Sequence, residues 1–232
     1  MEHLKELIAN GIFRALNQEF VQKKQILGLK TANCYRDLKL DIIYWLLEET
    51  FNSEDYFIYN FRRSYWRGRI LVDLNSKSLV SITSTMNLNK VSRGDYSNKY
   101  HYIKTIINSL NSDFKPHKQL SFDSSNTYSE EIYDKEFYDI FSDIGIDLKG
   151  FTYYIVAYDY KSNIVTNIDW YLFGSDFYIE EKESLMEYIK PDIIELTSVE
   201  NETDDTNTNS EGLKPNEGIK LGLKKKKSEK YS

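Results

Sequence analysis

Four arginines crowd the eight-residue stretch Arg62-Arg63-Ser64-Tyr65-Trp66-Arg67-Gly68-Arg69. A guanidinium fork grips phosphate or carboxylate through two parallel hydrogen bonds, and the neighbouring rings of Tyr65 and Trp66 can stack on bases or anchor a protein partner. If a strand runs on from Tyr65, its period of two puts Tyr65, Arg67 and Arg69 on one face and Trp66, Gly68 and Ile70 on the other. Arg62, Arg63, Tyr65, Trp66, Arg67 and Arg69 therefore form a candidate contact patch for nucleic acid or an acidic protein partner. The plainer alternative puts Trp66 in the core and leaves the arginines on a solvated face, paired with the chain's own carboxylates.

A second candidate stands near the C-terminus, where Ile219, Leu221 and Leu223 alternate and Lys224, Lys225, Lys226 and Lys227 follow. Such a segment could add a strand to a partner's sheet edge while its lysines touch an acidic surface or nucleic acid. A solubilising end that touches nothing specific is the alternative.

Signals for catalysis are sparse. The histidines, His3, His101 and His117, match no metal-ligand spacing, and His101 reads as a surface or capping residue at a helix start. Two acids and a lysine on neighbouring strand ends could hold magnesium for a metal-dependent nuclease or toxin, with Asp159, Asp169 and Lys161 as one such set and Asp73 with Lys77 as another. Asp73 and Asp159 lie beside expected turns, however, where aspartate serves the backbone. No phosphate-cradling glycine loop, nucleophile elbow or dinucleotide fingerprint is present, so neither a cofactor nor a metal is expected.

Composition narrows the classes further. The formal net charge is -6, with 30 basic and 36 acidic residues. From Thr197 onward basic and acidic residues balance, so the acidity belongs to the body, and any nucleic-acid binding must come from a local patch rather than bulk charge. The one cysteine, Cys34, can form no internal disulfide. With no leader pattern at Met1–Leu7 and no apolar run near the ~20 residues of a membrane span, a cytoplasmic protein without membrane contact is expected.

The elements that must position these residues follow from periodicity. Apolar residues at helical spacing from Leu4 to Val21 predict a first helix closed by Gly28, and a second runs from Tyr35 to Glu49 with Leu38, Ile42, Trp45 and Leu46 inward. Strand periods cover 57–61, 65–74 and 78–83, followed by a polar loop to about Lys99, helices near 100–110 and 130–144, and a long loop between them at 111–129. A hairpin follows, Phe151–Tyr158 and Ile164–Phe173 around a turn at 159–163, then a strand at 177–180 and a short helix at 183–189. The fold class is α+β: an N-terminal helical pair, antiparallel β-hairpins forming one sheet, a single domain over 1–198, and a disordered charged tail over 199–232 with a lysine-rich end.

The order of Tyr65-Trp66-Arg67-Gly68-Arg69-Ile70-Leu71-Val72-Asp73 with its hairpin to Ile82, the His101-Tyr102 helix start, the hairpin Tyr154–Leu172 and the lysine-rich end resembles an uncharacterised bacterial family. That family is common in Firmicutes and their mobile elements and has no known function. The resemblance implies no activity and no site residues. A non-enzymatic binding or regulatory protein, contacting nucleic acid or an acidic protein through the arginine hairpin, is the leading expectation, with the nuclease as its alternative.

Overall fold

A computed structural model describes residues 1–28, 34–51, 55–63, 66–94, 101–114 and 130–190. Six strands line up in chain order: β1 (Tyr56–Arg63), β2 (Trp66–Asp73), β3 (Ser78–Ser84), β4 (Thr152–Lys161), β5 (Ile164–Phe173) and β6 (Ile179–Ser184). Every neighbouring pair is antiparallel except β3 and β4, which run parallel from Ser78↔Thr152 to Ser84↔Tyr158. Parallel neighbours need a crossover, and here it consists of α4 (Thr85–Arg93), α5 (Tyr102–Leu110) and α6 (Glu130–Phe141).

The two faces of the sheet carry separate cores, as alternation along the strands requires. On one face Leu71, Val80, Ile82, Val156, Ile168 and Trp170 pack against α1 (Glu2–Arg14), the π turn Ala15–Glu19 and α3 (Tyr35–Thr50). On the other, Ile70, Val72, Leu79, Tyr153, Ile155 and Tyr171 pack against α4, α5 and α6. The expected N-terminal helical pair is present, with Gly11 of α1 so close to Leu47 of α3 that an added Cβ would stand 2.7 Å from Leu47 Cδ2.

Several expectations need correction. The N-terminal helix runs to Gly28, which ends it in the left-handed conformation as expected, but a π turn lies within it between α1 and α2 (Phe20–Leu27). The polar stretch after β3 begins as a helix, α4, whose N-cap Ser84 accepts from the Asn87 amide at 3.2 Å and whose C-cap is Gly94 at φ 73°. Its buried contribution is only Leu88 and Val91, too few for a clear apolar stripe. Trp45 is 41% exposed, its ring covered by Lys23, because Ile42, Ile43, Leu46 and Leu47 already fill the inward face of α3. The turn at 159–163 is tighter than expected: β4 runs to Lys161, and Ser162 and Asn163, both at positive φ, make the two-residue turn. Finally, β6 extends to Ser184, leaving only a 3-10 turn at Met186–Tyr188. The expected features at 95–100, 115–129 and 191–232, His117 among them, lie outside the described residues.

Three buried polar side chains repair the sheet where its ladders stop. Asn111, fully buried after α5, donates to the carbonyls of Tyr153 (2.7 Å) and Phe173 (2.8 Å) and accepts from the Tyr153 amide (3.0 Å). Asn17, in the π turn, accepts from the Val165 amide at 2.9 Å, beside the bulge where the β4–β5 register shifts. Tyr44 of α3 does the same between β2 and β3. Their ladder ends at Leu71↔Val80, and where Arg69 would next oppose Ile82, the Tyr44 hydroxyl accepts from the Ile82 amide (3.2 Å) and donates to the Arg69 carbonyl (2.9 Å). A hydroxyl thus replaces a direct strand-to-strand bond, and residues 66–70 of β2 pair with β1 alone.

Two substitutions test this reading of the sheet. Asn111→Ala leaves three backbone groups without their partner and is expected to cost about 3 kcal/mol. Gly174→Ala would place a Cβ 2.1 Å from the Phe114 carbonyl oxygen, and forced overpacking of that kind costs roughly 2–3 kcal/mol. Urea denaturation measures both, and unchanged midpoints would contradict the assigned contacts.

Candidate functional site

The hairpin of β1 and β2 carries the arginines as a two-stranded arm. Because β1 is an edge strand and β2 pairs with β3 only from Leu71 to Asp73, the distal half of the arm has no third strand on either side among the described residues. Its register sets Arg62 opposite Arg67 and Arg63 opposite Trp66. Strand alternation then divides the charges between faces. Arg62, Arg67 and Arg69 share the face of Leu71, toward α3, while Arg63 shares the face of Phe61, toward α5 and α6.

The four guanidinium groups differ in their surroundings. Arg69 Nη1 lies 2.7 Å from Asp41 Oδ1 of α3, and its guanidinium sits 5.6 Å from the centre of the Tyr44 ring. Arg63 Nη2 lies 2.7 Å from Glu136 Oε2 of α6. Both are half-buried and tie the arm to the helices on its two sides. Arg62 and Arg67 are exposed, and among the described residues Arg67 makes no ion pair. Like charges directly across a ladder are unfavourable, by a few tenths to ~1 kcal/mol relative to a neutral pair. The predicted patch is therefore brought together only in part: Arg62 and Arg67 face outward, Arg63 and Arg69 act as struts, and Tyr65 and the Trp66 side chain lie outside the described residues. The tail candidates Ile219, Leu221, Leu223 and Lys224–Lys227 lie outside them too.

Sequence reasoning gave no role to the tyrosines beneath the arm. Tyr44 and Tyr153 are buried, and Tyr153 donates to Ser81 Oγ at 2.7 Å. Burial holds both hydroxyls well above the ordinary tyrosine value, so they remain protonated donors. A tyrosine on the apolar face of a helix signals core, and nothing local announces that its hydroxyl completes a ladder.

The acidic alternatives are placed differently. Asp73 is a turn residue: its Oδ1 accepts from the amides of Asn75 (2.9 Å) and Ser76 (3.2 Å), and Oδ2 accepts from the Ser76 hydroxyl. Asp159 pairs with Asn167 across β4 and β5, on the same face as Asp169. Asp169 is buried, and its Oδ2 accepts from Asn167 (2.8 Å), Tyr171 (3.1 Å) and Lys182 (3.0 Å). Among the described residues no group of three histidine, cysteine or acidic side chains is arranged to hold a metal ion. Nor is any described helix long and apolar enough to cross a membrane.

His101 is the cap of α5, its Nδ1 accepting from the Ile103 amide at 3.3 Å. Burial, and secondarily the Arg63 charge, lower its pKa from 6.5 to about 4. Above the unfolded value neither state is protonated and the group contributes nothing to the pH dependence. As pH falls from 6.5 toward 4, the unfolded chain takes up a proton that the folded chain refuses, so stability declines, by something on the order of 3 kcal/mol in total. His101→Asn, which keeps a capping side chain, is expected to flatten stability across this window in urea titrations; an unchanged slope would contradict the assignment.

No curated protein and no solved structure matches the chain. One family model does, and its match extends over residues 1–232. The chain therefore belongs to the family of unknown function DUF5986.

Proposed function

We propose that this is a non-enzymatic binding or regulatory protein, of a bacterium or its mobile elements, that grips an anionic partner with the β1–β2 arm. The observation that carries the reading is the outward Arg62↔Arg67 pair on a ribbon released from the sheet at Tyr44. A two-stranded ribbon fits the major groove of duplex DNA, and paired guanidinium groups at its end match successive phosphates. Nucleic acid is therefore the leading partner class. An acidic protein segment is the second, supported by the net charge of -6, which disfavours a long polyanion lying across the body.

A nuclease built on Asp159, Asp169 and Lys161 has less support. Lys182, Asn167 and Tyr171 already engage one oxygen of Asp169, as in a satisfied structural carboxylate. Metal-dependent cutting of DNA or RNA by the pure protein, lost in Asp159→Ala, would establish it instead.

The test of the arm is Arg67→Glu. Arg67 is exposed, so stability should stay within about 0.5 kcal/mol of the wild type. Oligonucleotide binding, followed by fluorescence anisotropy through a salt titration, should weaken, and losing two phosphate contacts in Arg62→Glu/Arg67→Glu should lower the salt slope by about 2. Wild-type affinity in both variants would overturn the arm as the contact surface. Wild-type protein that ignores DNA and RNA yet binds an acidic peptide, with loss in Arg67→Glu, would select the second partner class.

A further inference from the structure

At the margin of the second core, a cleft of about 460 Å³ opens between the end of α5, α6 and the segment 144–149. Leu110, Phe137 and Phe141 form its floor, and Ile144, Ile146 and Leu148 form one wall. The segment 144–148 belongs to no strand of the sheet and turns at Gly145, which has φ 73°. Tyr138, at the mouth, is 71% exposed. The volume lies in the range of specific ligand sites.

The surroundings of the cleft are strongly acidic. Asp134 and Asp147 line it beside one lysine, Lys149, and Asp139 and Asp143 of the same stretch are exposed as well. A segment of opposite character exists in the same chain. Residues 219–230 hold six lysines against one glutamate, and Ile219, Leu221 and Leu223 alternate with Lys220, Gly222 and Lys224. The segment's three aliphatics suit an apolar cleft, and its lysines suit the exposed aspartates beside it.

We propose that Ile219–Lys227 of the chain's own tail docks in this cleft, its aliphatics against Ile144, Ile146 and Leu148 and its lysines along the acidic rim of α6. Chain length permits it. The last described residue is Lys190, fixed on α1 by Glu6 and Asn10, and 28 residues separate it from Ile219. A flexible coil of that length spans about 30 Å on average and nearly 100 Å fully extended, against a radius of gyration near 16 Å for a domain of this size. Docking in cis also meets little competition, since the effective concentration of a tethered segment is in the millimolar range. The docking rests on the cleft and the tail alone and does not depend on the arginine arm.

The full chain provides its own test. In a Cys34→Ser background, Ser228→Cys offers one site for a nitroxide spin label, and amide relaxation reports which residues the label approaches. Docking predicts loss of peak intensity confined to residues 134–149, abolished by Leu221→Asp/Leu223→Asp with the amide spectrum of the described residues otherwise unchanged, and diminished by Asp134→Lys/Asp143→Lys. Intensity loss spread evenly over the surface, or retained in the Leu221→Asp/Leu223→Asp chain, would overturn the proposal. So would loss seen only when labelled chains are mixed with isotopically enriched unlabelled ones, because the occupant would then be the tail of a second copy.

Discussion

The Tyr44 hydroxyl is the interaction on which the shape of this molecule turns. One oxygen stands between the Ile82 amide and the Arg69 carbonyl, satisfying both and preventing them from bonding directly. A hydroxyl can do this because it donates and accepts at once. The strands β2 and β3 consequently pair only from Leu71 to Asp73 of β2, and the distal hairpin stays paired only with itself among the described residues. A bare split of this kind would expose unsatisfied backbone inside the protein, at a cost of about 1–3 kcal/mol per group. With the hydroxyl in place the split is satisfied, and the distal hairpin is left as a two-stranded arm.

The same solution recurs at the other discontinuities. Asn111 closes the ends of β4 and β5, and Asn17 closes the bulge near the β5 start by way of a π turn within the first helix. In each case a helix supplies one buried polar side chain to backbone groups that no strand can reach. These contacts couple layers as well as satisfy donors. Helix α3 positions β2, and the Arg69–Asp41 and Arg63–Glu136 pairs brace the arm from both faces. The hairpin is therefore held on both faces, with Arg62 and Arg67 left exposed near its end.

The sequence made the hairpins, the helical pair and the arginine cluster legible because each is local: period-two apolar runs, helical stripes and a dense set of one residue type. The face-sharing of Arg67 and Arg69 followed from alternation alone. What remained hidden depends on distant partners. Nothing near Ser78–Ser84 indicates that it pairs in parallel with Thr152–Tyr158, far along the chain. Polar Asn87 and Asn89 masked α4, whose burial rests on Leu88 and Val91, and Trp45 read as core because its apolar ring outweighed a position that α3 turns toward solvent. The division of four arginines into two struts and two outward groups was likewise unreadable, since Asp41 and Glu136 lie on helices whose packing the strand pattern does not encode.

Site-resolved amide hydrogen exchange in the wild-type chain and in Tyr44→Phe examines the wedge most directly. An arm held by the Tyr44 hydroxyl predicts that the Ile82 amide, protected in the wild type, becomes fast-exchanging in Tyr44→Phe, with the β1–β2 amides near Phe61 and Arg69 loosening more than those of β4 and β5. Unchanged protection at Ile82 and along the hairpin in Tyr44→Phe would contradict it.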